Sequence, residues 1–150
     1  MQRNIIPDAS CLIVLEKIDC LEVLRDLYDT ILITSTVAEE FGSPIPEWIR
    51  VQAVENTQYP MLIEATVDSG EASAIALALE QGGLLILDDT KARKLAGQYK
   101  LAYTGTFGIL LEAKRCGVIT SFRSILDRIK HTNFYVSESL EKRLLELAEE

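Results

Sequence analysis

Four short, uninterrupted apolar runs constrain this chain more than any other feature. They are Ile5-Ile6, Ile31-Leu32-Ile33, Leu84-Leu85-Ile86-Leu87 and, more weakly, Leu101-Ala102-Tyr103. Met61-Leu62-Ile63 is a further strand candidate. A run that is apolar at every position has no solvated face, so as a strand it must be covered on both sides. Between the runs the apolar period becomes helical. Ser10 to Leu27, broken near Asp19-Cys20, suits two short helices, and Glu71 to Gln81 stops at Gly82-Gly83. Thr90 to Tyr99, Phe107 to Cys116, Phe122 to Ile129 and Glu138 to Ala148 complete the set. Alternating strands and amphipathic helices predict a three-layer α/β/α sandwich around a central, mostly parallel sheet. In such a sheet ligands bind outside the carboxyl ends of the strands, so the residues that follow the apolar runs are where chemistry belongs.

A chain of 150 residues that is 48% hydrophobic can bury a full core, and with no Gly/Ser-rich linker or repeat it reads as one domain, 1–150. The sequence from Gly42 to Glu47, with Pro44 and Pro46, reads as a surface loop. No apolar run approaches the roughly 18 residues that span a bilayer, and the expectation is a cytoplasmic protein with no membrane partner. Cys11, Cys20 and Cys116 form no C-x-x-C pair and read as buried free thiols. His131 is the only histidine, which removes imidazole-based zinc sites and leaves ionisable chemistry mainly to carboxylates.

Acids follow the strands. The first run ends in Pro7-Asp8, the second leads through Thr34 to Glu40, and the third ends in Asp88-Asp89. A helix beginning near Ser69-Gly70-Glu71 and running antiparallel to the Leu84 strand would bring Glu71 to the same edge. Like charges a few ångströms apart cannot all stay ionised without raised pKa values or a bound cation. With neither imidazoles nor thiolates on offer, the ion such a site selects is a hard one, Mg²⁺ or Mn²⁺, and the chemistry suggested is phosphodiester hydrolysis. Each acid also has a plainer role available: Asp8 and Asp89 as helix caps, Glu71 at the positive end of its helix with Ser69 as cap, Glu40 as a solvated side chain.

Charge is unevenly spread. Residues 1–89 carry 4 Lys/Arg against 16 Asp/Glu, whereas residues 90–130 carry 9 against 2. A basic stretch on the same face as an acidic centre would hold a polyanion; otherwise these are ordinary solvated helix faces.

The motifs Ile6-Pro7-Asp8-Ala9-Ser10, Val37-Ala38-Glu39-Glu40-Phe41, Gly70-Glu71-Ala72 through Ala78, and Leu85 to Asp89 with Ala92-Arg93 together resemble a PIN domain. The likeness runs from Asn4 to Phe134 and is to toxin-type endoribonucleases of the VapC kind. Within them it is to a prokaryotic branch with G-E, D-D-x-x-x-R and T-G-T-x-G-x-L motifs, the last matched by Thr104 to Leu110. The resemblance implies that Asp8, Glu40, Glu71 and Asp89 form a Mg²⁺/Mn²⁺ site and carry catalysis, with Ser10 supporting the first acid and Asp88 behind Asp89. Glu71 stands where the wider family usually has aspartate. Arg93 would contact the scissile phosphate or pair with a site acid. The resemblance further implies an RNA substrate, a cognate antitoxin as a partner, and a homodimer.

The function expected is a metal-dependent endoribonuclease, with Lys91, Arg93, Lys94, Lys114 and Arg115 as candidate RNA backbone contacts. The competing expectation is an inactive PIN-like module that binds RNA or a partner protein.

Overall fold

The structure, a computed structural model, describes residues 3–56, 58–63 and 66–150. Met1 and Gln2, where the expected domain begins, lie outside the described residues. Five strands, β1 (Asn4–Pro7), β2 (Thr30–Ile33), β3 (Ile49–Val51), β4 (Leu84–Ile86) and β5 (Ala102–Thr104), form one parallel sheet in the order β3-β2-β1-β4-β5. Consecutive residues of a strand point to opposite faces, yet Ile5 and Ile6 are both 0% exposed, as are Leu85 and Ile86. Helices therefore cover both faces, the three-layer arrangement expected of continuously apolar strands.

The helices are α1 (Ala9–Lys17), α2 (Val23–Leu27), α3 (Ser35–Phe41), α4 (Gln58–Ile63), α5 (Ser69–Gln81), α6 (Thr90–Gln98), α7 (Thr106–Arg115), α8 (Phe122–Lys130) and α9 (Glu138–Leu147). The break between α1 and α2 falls at Asp19, which takes a left-handed φ of 59° that a continuing helix forbids. Every residue of α5 from Gly70 to Ala78 is buried, because this helix lies against β1 and β4 while touching α3, α4 and α6. Its alanines allow that close approach, and its leucine and isoleucine burial contributes on the order of 2 kcal/mol per side chain. On another side α7 packs with α2, α8 and α9, where Phe122 is wholly buried.

Two expectations need correction, and one strand was not anticipated. Met61-Leu62-Ile63 lies in α4, not in a strand. Strand β3 is an edge strand of three residues with only Ile49 buried, so it carries no apolar run to announce it. Cys11 and Cys20 are buried free thiols, but Cys116 is exposed just past α7, where its sulfur lies beside Glu112 and Arg115.

Chain direction explains where the acids meet. From β1 the chain moves outward through β2 to β3, then crosses to β4 on the other side of β1 and on to β5. The switch point lies between β1 and β4, and at its carboxyl end the Asp8 N–H donates to the Ile86 carbonyl at 3.0 Å.

Candidate active site

Asp8 occupies the N-cap position of α1 with extended backbone, φ -77° and ψ 164°, but its side chain makes no cap hydrogen bond. The residue is 5% exposed, and among the described residues its Oδ1 is the one buried side-chain oxygen or nitrogen without a hydrogen-bond partner. A simple capping role would have satisfied it. Burial pushes the Asp8 carboxyl up to about 6; the Ala9 amide offsets part of this, and the charges of Asp68, Glu40 and Asp88 add to the rise.

Glu71 faces the same edge from α5. It is 7% exposed, and burial, followed by the charges of Asp68, Asp8 and Asp89, pushes it up to about 8. Its backbone N–H donates to Asp68 Oδ1 at 2.8 Å, while its own Oε1 accepts from the Asp68 N–H at 3.3 Å. This reciprocal capping box identifies Asp68, not Ser69, as the cap of α5. Asp68 also acts on Asp8 and Glu40, so it is a fifth acid of the crevice that the strand-end argument misses. The D-x-x-E spacing ahead of an apolar helix was the available signal.

Glu40 is exposed at the end of α3, its carboxyl raised by desolvation and by Asp68 and partly lowered by Gly70 and Ser69. Its carboxylate lies over Gly70 so closely that a Cβ there would collide with it. The glycine of the G-E motif is thus a seat for Glu40.

Asp88 and Asp89 separate in role. Asp89 is exposed at the N-cap of α6 and accepts from the Ala92 N–H at 2.9 Å. Asp88 reaches across to α7, accepting from the Thr106 N–H at 2.9 Å and the Thr106 hydroxyl at 2.5 Å. The N-cap residue of α7 is Gly105, which has no side chain to offer, so Asp88 caps that helix from a distance. Arg93 completes the assembly: its Nε donates to the Leu87 carbonyl at 2.6 Å, Asp88 Oδ1 lies 4.0 Å from Nη2, and the guanidinium sits 5.7 Å from the Tyr103 ring centre. A Cβ on Gly105 would strike Arg93, and one on Gly108 would strike the Thr104 hydroxyl. The D-D-x-x-x-R and T-G-T-x-G motifs therefore interlock, fixing Asp88 and Arg93 as struts behind Asp89.

Other expected residues divide. Lys91 and Lys94 start near the acid edge on α6, exposed around a cavity of about 420 Å³ that Thr66 also lines. Lys114 and Arg115 do not join them. They stand eight and nine residues along α7 from Thr106, about 12–13 Å away at 1.5 Å per residue, where Lys114 pairs with Glu150 at 2.6 Å and Arg115 with Glu112. The parallel sheet sends the C-terminus of α7 away from the strand ends, which corrects their assignment as contacts beside the acids. Ser10 is exposed in the first turn of α1, two residues after Asp8.

A sequence profile of the PIN domain matches residues 4–150. The chain belongs to the PIN domain family. No curated protein matches the sequence. PIN domains are generally nucleases that use divalent metal ions.

This PIN domain supplies only oxygen donors at the crevice, the chemistry a hard divalent cation selects. Asp8, with a buried oxygen lacking any partner, fits such an ion directly. Among the described residues no three of the acids stand close enough to hold an ion as they are placed. Backbone amides occupy Glu71, Asp89 and Glu40 instead. No described helix is long and apolar enough to cross a membrane.

Proposed function

We propose that this PIN domain is a metal-dependent endoribonuclease in which Asp8, Glu40, Glu71 and Asp89 hold Mg²⁺ or Mn²⁺. The observation that carries this reading is the buried, unpartnered Oδ1 of Asp8 at the topological switch point, near enough to Asp68, Glu40, Asp88 and Glu71 to feel their charges. A bound divalent ion would lower the pKa of water and offset charge on the phosphodiester. The chain's own residues do the rest. Asp8 would anchor the ion through its buried carboxylate, and Asp89 would offer a further oxygen from the start of α6. Glu71, raised to about 8 by burial and its acidic neighbours, would hold a proton at neutral pH in the metal-free protein and would give it up to act as a ligand. Asp88 and Arg93 keep β4, α6 and α7 in register and so position Asp89. Lys91 and Lys94 offset the repulsion that the acids exert on an approaching RNA backbone. A cognate antitoxin and a homodimeric state belong to the same proposal.

The capping box that occupies Glu71 favours a second reading, an inactive module that binds RNA or a partner protein without cutting. One experiment separates the two: cleavage of structured and single-stranded RNAs with Mn²⁺, Mg²⁺ or EDTA, comparing the native protein with Asp8→Asn and Asp89→Asn. The nuclease reading expects metal-dependent cleavage that both variants lose. Absence of cleavage, together with no thermal stabilisation by Mn²⁺, would overturn it.

A further inference from the structure

Beyond the acids, α6 forms one wall of a groove. Lys91, Lys94, Leu95 and Gln98 recur at helical spacing, so they share a face, and that face lines the 420 Å³ cavity with Thr66 opposite. Both walls start from acids of the crevice. Asp89 lies two residues before Lys91, and Asp68 lies two residues after Thr66.

At its far end this cavity is followed by another, of about 370 Å³, lined by Tyr59, Ile63, Leu79 and Tyr99. The two are neighbours along both walls: Tyr99 follows Gln98, and the Thr66 N–H donates to the Ile63 carbonyl at 3.0 Å. Tyr59 and Tyr99 are 39% and 44% exposed, so each ring presents part of a face or edge to solvent, above a floor of Ile63 and Leu79. The second cavity is mostly apolar, whereas the first is flanked by two lysines. From Thr90 to Tyr99 the helix rise covers about 13 Å.

We infer that the Tyr59–Tyr99 cleft is a nucleobase-binding site: a base of single-stranded RNA, on a strand whose backbone follows Lys91 and Lys94 away from the acids, stacks there on tyrosine. The charge pattern selects this occupant. A polyanion is drawn along the lysines, and an uncharged aromatic ring is what an apolar cleft with two tyrosines accepts at the end of that path. Such stacking is tolerant of base identity, so the cleft sets where the strand lies, and hence which bond is presented to the acids, more than which base is read. The inference rests on the nuclease reading for the direction of the strand, and its test is independent of turnover.

The test is equilibrium binding, in EDTA so that no cleavage intervenes, of a fluorescein-labelled ten-nucleotide RNA and of the same oligomer with abasic riboses. The native protein is expected to prefer the base-bearing RNA by roughly ten-fold, within the range that base–aromatic stacking supplies. Tyr59→Leu and Tyr99→Leu should each reduce that preference, Tyr99→Phe should keep it, and Lys91→Gln with Lys94→Gln should weaken both oligomers alike. Equal binding of the two oligomers by the native protein, or tyrosine variants that weaken both equally, would overturn the cleft while leaving the nuclease reading standing. A cleft that serves a protein partner would give this same flat result. Failure to bind or cut any RNA would overturn both. Thermal melts of each variant show that the fold is kept, as the half-exposed rings lead one to expect.

Discussion

Two groups of carboxylates in this protein are treated in opposite ways. At the carboxyl edge of the sheet, Asp8 and Glu71 are buried among other acids, and their carboxyls rise to about 6 and about 8. Around the far end of α7, Glu150 accepts from Lys114 at 2.6 Å, from the Phe122 N–H at 2.5 Å and from the Arg123 N–H at 3.2 Å, and its carboxyl falls to about 2. Nearby Glu112 is lowered by Arg115. The residue types are the same, and both groups accept backbone amides; the difference is burial and whether a cationic side chain has been provided. The α7 end has its counter-charges built in and serves to fasten α7, α8 and Glu150 together. The sheet edge instead buries carboxyls beside one another with no cation, so their charged forms are disfavoured until a proton or an added cation offsets the charge, which is how a site for an ion differs from a structural ion pair.

The sharpest way to break this comparison is Asp8→Asn. It should lower metal-dependent RNA cleavage by about a hundred-fold or more, because the buried anchor for the ion is gone. It should also raise the melting temperature of the metal-free protein at neutral pH, since an amide avoids the cost of a buried, unpartnered carboxylate. Calorimetry in EDTA that shows a loss of stability would contradict the cost ascribed to burying charge at this edge.

Next in size is the response to pH. For Asp8 and Glu71 the folded pKa lies above the unfolded one, so the folded state holds the extra proton between about pH 4 and 8. Their contribution is therefore full below about pH 4 and is lost as pH rises toward 8, a change on the order of 1–3 kcal/mol. For Glu150 the folded value is depressed, so its contribution is present above about pH 4.5 and lost as pH falls toward 2. Thermal melts in EDTA should show stability declining from pH 5 to 8, and Asp8→Asn combined with Glu71→Gln should flatten that decline. Saturating Mn²⁺ should reverse it, because binding releases the protons.

A smaller effect is expected at the paired end. Glu150→Ala leaves two α8 amides and Lys114 without their acceptor and should cost about 1 kcal/mol by urea denaturation, with cleavage unchanged. Loss of cleavage in that variant would tie the two ends together in a way the geometry does not. The smallest change is Gly70→Ala. Alanine favours the helix by about 0.5–1 kcal/mol, but its Cβ takes the place of the Glu40 carboxylate. Stability should hold or rise slightly while cleavage falls several-fold, a split that a melt and a rate measurement on one preparation would show.

Much of the fold was legible because burial on both faces writes itself into strands as unbroken apolar runs, and the runs at Ile5, Ile31 and Leu84 became β1, β2 and β4. Strand β3 was not legible, since an edge strand with Arg50 and Val51 exposed needs no such run. Met61-Leu62-Ile63 misled for the complementary reason: three apolar residues fit a strand or one turn of helix equally well, and the packing of α4 against α5 decided for helix. At the site, Asp8, Glu71 and Asp89 were reachable from their place after strands or at a helix start. Asp68 was missed because it follows no strand and enters as the cap of α5. Lys114 and Arg115 were misplaced because a count of charges along the chain does not say at which end of a helix they stand.

By itself, then, the sequence determined the periodicities, the order of strands and helices, and the supply of oxygen ligands, all of which depend on neighbours a few residues apart. Only the tertiary structure decided that β1 pairs with both β2 and β4, which brings Asp8 beside acids some eighty residues later. It also decided which carboxylates meet a cation and which meet one another. Charge pairing depends on distance in space through a medium of low polarity, and that distance is set by packing rather than by position along the chain.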